Sequence, residues 1–152
     1  MRFHFAEKNW DTCIFGDEHS LRIGKTTLYM RGGVMRERVL DLVIHEGRMT
    51  PKVYIEKNMF PLFDQCVLGK DVNFVQDSAA FHLSRRVKSW FAENDISVIN
   101  LPHESADLNI MENIWSTLRS ELELMSDMKP VTKQDMVNDA WCYIMDQYSV
   151  IT

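Results

Sequence analysis

DVNFVQDSAAFHLSRRVKSWFAENDISVINLP, residues 71–102, is the stretch on which the fold turns. DVNFVQD is a short β-prone run that ends on an acid. LSRRVKSWFAEN sets Val87, Trp90 and Phe91 on one side at helical spacing, and ISVINLP is a second apolar run stopped by proline. Strand, helix and strand in that order predict a βαβ unit, and so two parallel strands in one sheet.

Toward the N-terminus, TCIFGDE (12–18) reads as a strand that stops at two acids, and TTLYMRGG (26–33) and RVLDLVIHEGRM (38–49) read as two more strands punctuated by glycines. TPKVYIEKNMFPLFDQC (50–66) opens a helix with Thr50 as N-cap and proline at the first helical position. Val53, Ile55, Met59, Phe60 and Phe63 roughly follow its spacing, and Pro61 should break or kink it. Toward the C-terminus, Ile110, Ile114, Leu118 and Leu122 recur every four residues, so a helix begins near Leu108 to Met111 with Glu112 in its first turn. A closing helix starts after Thr132 and presents Met136, Ala140, Tyr143 and Ile144 as a stripe. The order predicts one α/β domain over 1–152, a five-stranded mixed sheet with helices on both faces and no internal repeat or linker.

Composition sets the limits on function. With 152 residues, 45% of them hydrophobic, the chain can bury a full single core. No apolar run approaches a membrane span, and MRFHFAEKNW lacks the apolar centre of a signal peptide, so no membrane partner and a cytosolic or nuclear location are expected. A net charge of −5 excludes broad nucleic-acid binding by bulk electrostatics, so any DNA contact has to be local. The basic clusters MRGGVMRER and LSRRVKSW read as solvated faces. Cys13, Cys66 and Cys142 are odd in number and widely spaced, and read as reduced, packed thiols.

Asp17 and Asp77 each end a strand candidate, and Glu112 opens a helix. If the first and fourth strands are parallel neighbours, the two aspartates stand close together at their ends, where bare carboxylates repel unless they share a cation. Oxygen ligands of this kind suit magnesium or manganese, and two such ions serve phosphodiester chemistry. Each acid alone reads equally well as a turn former or a helix-dipole partner. His82 and His19 taken singly read as a helix-start and a surface-strand residue.

Three segments carry a resemblance. IFGDE, FVQDSAAFH and LPHESADLNIMENIW resemble the signature blocks of the catalytic domain of mariner-type DNA transposases, a family with a ribonuclease H-like fold. The third block is the most specific: Ser105, Asp107, Leu108, Asn109, Glu112, Asn113 and Trp115 match, and 34 residues separate Asp77 from Glu112, as in the Asp-Asp-Glu branch of the family. The resemblance implies that Asp17, Asp77 and Glu112 are catalytic and hold two Mg2+ or Mn2+ ions, with His82 and Asn109 in support. It implies DNA cleavage and strand transfer, DNA as partner, and the nucleus as compartment. Ser105 and Asp107 would shape the loop entering the helix.

The departures are specific. Ser78 and Ala80 replace the asparagine and proline usual in the second block, and Ala106 and Ile110 stand where prolines are usual in the third. Only 59 residues separate Asp17 from Asp77, and a glycine-rich strand pattern is reduced to GGVMRER. No N-terminal helix-turn-helix module is expected. These erosions define the alternative, a domesticated and catalytically weak descendant that serves as a module for protein partners or a homodimer.

Overall fold

The computed structural model describes residues 12–35, 38–45, 47–64, 72–102, 109–125 and 132–149. Its strands are β1 (Cys13–Ile23), β2 (Thr26–Met35), β3 (Arg38–Val39), β4 (Val43–His45), β5 (Asn73–Gln76) and β6 (Ser97–Asn100). The sheet runs β3-β2-β1-β5-β6, with β4 also paired to β2. β1 is antiparallel to β2 and parallel to β5, and β5 is parallel to β6, so the sheet is mixed as expected.

Two strands differ from the expectation. β1 does not stop at Asp17 and Glu18. It continues to Ile23, because its backbone pairs with β2 from Phe15↔Val34 to Ile23↔Thr26, and a hairpin ladder accepts charged side chains that need not enter the core. The single third strand becomes β3 and β4 on the same edge of β2. The register slips by one residue between Val34↔Val39 and Arg31↔Val43, which marks a bulge. Within it the Leu40 N–H still bonds Gly33 O at 2.9 Å, and Leu40 is fully buried.

Helices cover both faces. On one lies a helix built of α1 (Pro51–Val53), a π-helical stretch π1 (Tyr54–Met59) and α2 (Phe60–Asp64), together with α3 (Arg85–Glu93). On the other lie α4 (Met111–Leu124) and α5 (Lys133–Ser149). Thr50 and Thr132 cap as expected, accepting from Val53 N at 3.2 Å and from Asp135 N at 3.0 Å, and Ser84, not assigned from the sequence, caps α3 by accepting from Val87 N at 3.3 Å.

Pro61 does not end the helix, which runs on through it to Asp64. The turns before it widen, with Phe60 N–H bonding Ile55 O, and this i to i−5 pattern absorbs the proline that a tight α-turn would reject. The widening also resets which side chains face inward. Tyr54, Ile55, Asn58, Met59, Leu62 and Phe63 are buried, whereas Phe60, expected inside, is 46% exposed. In α5 the buried stripe is Val137, Ala140, Trp141 and Ile144, and Tyr143 lies outside it.

Two large apolar clusters sandwich the sheet. Ile14, Tyr54, Met59, Leu62, Phe74, Val87 and Phe91 form one, and Leu28, Met30, Met111, Ile114, Trp115, Leu118 and Trp141 belong to the other. Cys13 is buried as expected, but Cys142 is exposed, and Cys66 lies outside the described residues. Arg31, expected on a solvated face, is completely buried. Among the described residues no helix is long and apolar enough to cross a membrane.

Candidate metal and catalytic site

The β1–β5 register sets the site. Cys13 pairs with Asn73, Ile14 with Phe74 and Phe15 with Val75, a constant offset that carries on to bring Asp17 level with Asp77 just past the last parallel pair. Alternation along β1 then divides its side chains between the faces. Asp17 and His19 turn toward α4, where the Trp115 indole bonds Asp17 and stacks on His19 at 5.1 Å. Gly16 and Glu18 turn the other way, toward Phe74, Arg31 and His82.

Asp17 is held from α4. Gly32 sits opposite it on β2, and a Cβ there would lie 2.7 Å from Met111, 2.8 Å from Trp141 and 2.9 Å from Trp115. The absent side chain lets Trp115 lie flat on the sheet and donate its indole N–H to Asp17 Oδ2 at 2.9 Å. Asn109 ties the start of the same helix to β1. Its Nδ2 donates to Gly16 O at 3.3 Å, and its Oδ1 accepts from Met111 N at 3.0 Å. Glu112 thus enters on the exposed first turn of a helix fixed on both sides of Asp17. Ser105, Ala106, Asp107 and Leu108 of the third block lie outside the described residues.

Asp77 is held from the opposite face. His82 Nδ1 lies 2.7 Å from Asp77 Oδ1 and 3.1 Å from the Asp77 carbonyl, and the Ala79 N–H also reaches Oδ1 at 3.2 Å. The Ser78 hydroxyl donates to Leu101 O at 2.6 Å, pinning the loop to the end of β6 without the usual asparagine and proline. His82 is 1% exposed and places Nε2 2.8 Å from Glu18 Oε1, which also takes Nη1 of Arg31. Beneath the ring, Tyr54 donates to Gln76 Oε1 at 2.6 Å, and Gln76 Nε2 donates to Asn100 at 3.1 Å. Burial holds the Tyr54 phenol above its ordinary pKa, so it stays a neutral donor.

The electrostatics separate the two aspartates. Burial pushes the Asp17 carboxyl up to about 6; the Trp115 bond and Arg31 oppose this, while the charges of Asp77 and Glu112 add to it. The hydrogen bond from His82 holds Asp77 below its usual value against partial burial. Burial followed by nearby Arg119 lowers His19.

Asp77 and Glu112 therefore both lie within electrostatic range of Asp17. Among the described residues, however, the set of metal-ligating types whose ligand atoms all lie within 4.8 Å of each other is Glu18, Asp77 and His82. That set is an ion-pair chain in form: each ring nitrogen of His82 faces a different carboxylate, and the Arg31 cation occupies Glu18. A buried guanidinium beside Glu18 opposes a second cation there. Asp17, Asp77 and Glu112 carry oxygen donors of the type that a hard divalent ion takes. Among the described residues, no hydrogen bond reaches Asp17 Oδ1 or Asp77 Oδ2, while the second oxygen of each is held by a protein donor. One anchored and one unused oxygen per carboxylate is the arrangement of supported metal ligands.

Glu18, Arg31 and Trp115 have site contacts that sequence reading did not assign. The one usable signal was an arginine between Met30 and Gly32 within a strand candidate.

Comparison with known proteins gives three concordant findings. A family model described as DDE superfamily endonuclease matches residues 17–133. The Tc3 transposase of Caenorhabditis elegans is 34% identical over 181 aligned positions, covering 95% of this chain and 54% of its own length, so the chain spans about half of that relative. Among solved structures, the catalytic domain of Mos1 mariner transposase superposes with a TM-score of 0.63 at 11% identity, covering 94% of this chain and 81% of that one. The HTLV-2 integrase catalytic core in complex with magnesium does so with a TM-score of 0.63 at 14% identity, covering 86% and 83%.

Proposed function

Because the chain belongs to the DDE superfamily endonuclease family and is homologous to Tc1/mariner-type transposases, we propose that it is a transposase catalytic domain that cleaves DNA phosphodiesters with divalent metal and carries out strand transfer. The observation that supports this reading is the pair of level aspartates, each with one oxygen anchored by the protein and one unused, with Glu112 on the first turn of α4 adding to the charge around Asp17.

In this reading Asp17, Asp77 and Glu112 hold magnesium or manganese. The chemistry supplied by two such ions is activation of the attacking oxygen and neutralisation of charge on the reacting phosphate. The protein does the rest. Trp115 would fix Asp17 from α4, His82 would fix Asp77 from the opposite face, and Asn109 would set the start of α4, and with it Glu112, against β1. Arg119 lies beside His19 at 3.4 Å on the Glu112 side, and the two offer donors to a DNA backbone phosphate. A local cation such as Arg119 would supply DNA contact despite the acidic net charge. Localisation in the nucleus is part of the same proposal, because DNA is the substrate it assigns.

The test is a nicking assay on supercoiled DNA with Mn2+ and with chelator. The wild-type chain should nick, and Asp77→Asn should lower the rate by orders of magnitude, since a lost ligand acts on the transition state. Equal activity in the two proteins sinks the assignment. A folded wild type that binds no metal and cuts no DNA would instead be a transposase-derived module working through protein contacts.

A further inference from the structure

The metal assignment uses one oxygen of Asp77 and says nothing of the charge buried behind the other. Arg31 lies in the middle of β2 with no exposed surface. Its guanidinium stands 4.9 Å from the centre of the Tyr54 ring and 5.1 Å from that of Phe74, and Nη1 donates to Glu18 directly across the strand pair. Nε and Nη2 have no hydrogen-bond partner among the described residues. The opposing wall is cut away to admit the group, since a Cβ on Gly16 would lie 2.7 Å from Nη2 and 2.5 Å from the Phe74 ring.

An arginine buried with N–H groups unpartnered is a poor stabilising device, because desolvation of both ions offsets the attraction between them. The position of its partner suggests what it does instead. Glu18 Oε1 takes Arg31 on one side and His82 Nε2 on the other, and His82 passes through to Asp77 Oδ1. Cation, anion, imidazole and anion alternate from the strand centre to the loop end. The first three side chains are buried or mostly so, and only the last is 52% exposed. A half-exposed aspartate on a loop otherwise samples several rotamers; this chain selects the one that holds Oδ1 against His82 and leaves Oδ2 without a protein donor among the described residues.

We propose that Glu18 and Arg31 are positioning residues for the metal ligand Asp77, acting through His82, and that their contribution is to metal affinity rather than to fold stability. The proposal rests on Asp77 being a ligand. Partners of this kind behind a metal ligand typically carry a 10- to 100-fold effect on affinity. Glu18→Gln keeps the shape and removes the charge, leaving His82 a weaker acceptor.

The test measures Mn2+ binding alone, by the free-ion electron paramagnetic resonance signal, on the full 152-residue chain, with melting temperature recorded in parallel. Glu18→Gln should weaken Mn2+ by about 10- to 100-fold. Arg31→Met leaves the mostly buried Glu18 carboxylate with His82 alone and without its cation, and should lower the melting temperature. The double variant Arg31→Met with Glu18→Gln removes both charges and should recover stability, as replacement of a buried pair often does. The double variant discriminates between the roles. If the chain positions Asp77, the variant regains its melting temperature but not its Mn2+ affinity, and it also carries the test if either single variant fails to fold. Affinity that recovers with stability, or a Glu18→Gln affinity within twofold of wild type while Asp77→Asn abolishes binding, overturns the positioning role and leaves the metal site standing. A folded wild type that binds no more Mn2+ than Asp77→Asn overturns both.

Discussion

Replacing Asp17 by asparagine should make the metal-free protein more stable at neutral pH. Burial raises this carboxyl from 3.8 to about 6, so the folded protein favours its neutral form. A group whose pKa is raised on folding contributes fully below its unfolded value and loses that contribution as pH climbs through the folded one. The loss therefore falls between pH 4 and roughly 6 to 7. At about 1.4 kcal/mol per unit it amounts to ~3 kcal/mol. Asparagine has no charge to desolvate, and its carbonyl oxygen can still accept the Trp115 N–H that now reaches Asp17 Oδ2. In chelator at pH 7.5 the melting temperature of Asp17→Asn should exceed that of wild type by about 6–12 °C, taking 2–4 °C per kcal/mol for a domain of this size. At pH 4 most of the gap should close. Saturating Mn2+ should reverse the order, because wild type gains binding energy that the variant cannot. Differential scanning calorimetry across pH 4–8, with chelator and with Mn2+, reads all three. A variant no more stable than wild type at pH 7.5 in chelator, or a gap that ignores pH, refutes the account of Asp17 as a desolvated carboxyl awaiting a cation.

Three other substitutions test further contacts. Gly32→Ala pushes a methyl against Met111, Trp115 and Trp141 and should cost ~1–3 kcal/mol, seen as a lower melting temperature and altered tryptophan fluorescence. Trp115→Phe removes the hydrogen bond that lowers the Asp17 pKa, so the pH midpoint of Mn2+ uptake should move upward; an unchanged midpoint would deny the bond its role. Arg119→Ala should weaken DNA binding without regard to sequence and reduce the salt slope by about 1, measured by fluorescence anisotropy.

Much of this molecule was determined by short-range pattern. The caps at Thr50 and Thr132, the strand–helix–strand unit around Arg85–Glu93, and the start of α4 near Met111 all depend on residues within a few positions of each other, and each appears where its spacing places it. Asp17, Asp77 and Glu112 could be nominated because they stand at the ends of such elements. Tertiary structure decided what those acids face. Adjacent Asp17 and Glu18 serve opposite faces, one meeting a tryptophan 98 residues away and the other a histidine 64 residues away. Neither contact leaves a period in the sequence. Arg31 reads as a surface cation by residue type and is buried because Gly16, Tyr54 and Phe74 together shape a cavity around it. The π-helical turns before Pro61 likewise choose Tyr54 over Phe60 for the core. Backbone propensity and capping act within a turn or two of chain, whereas sheet register and the pairing of buried charges are settled between segments brought together only when the core closes.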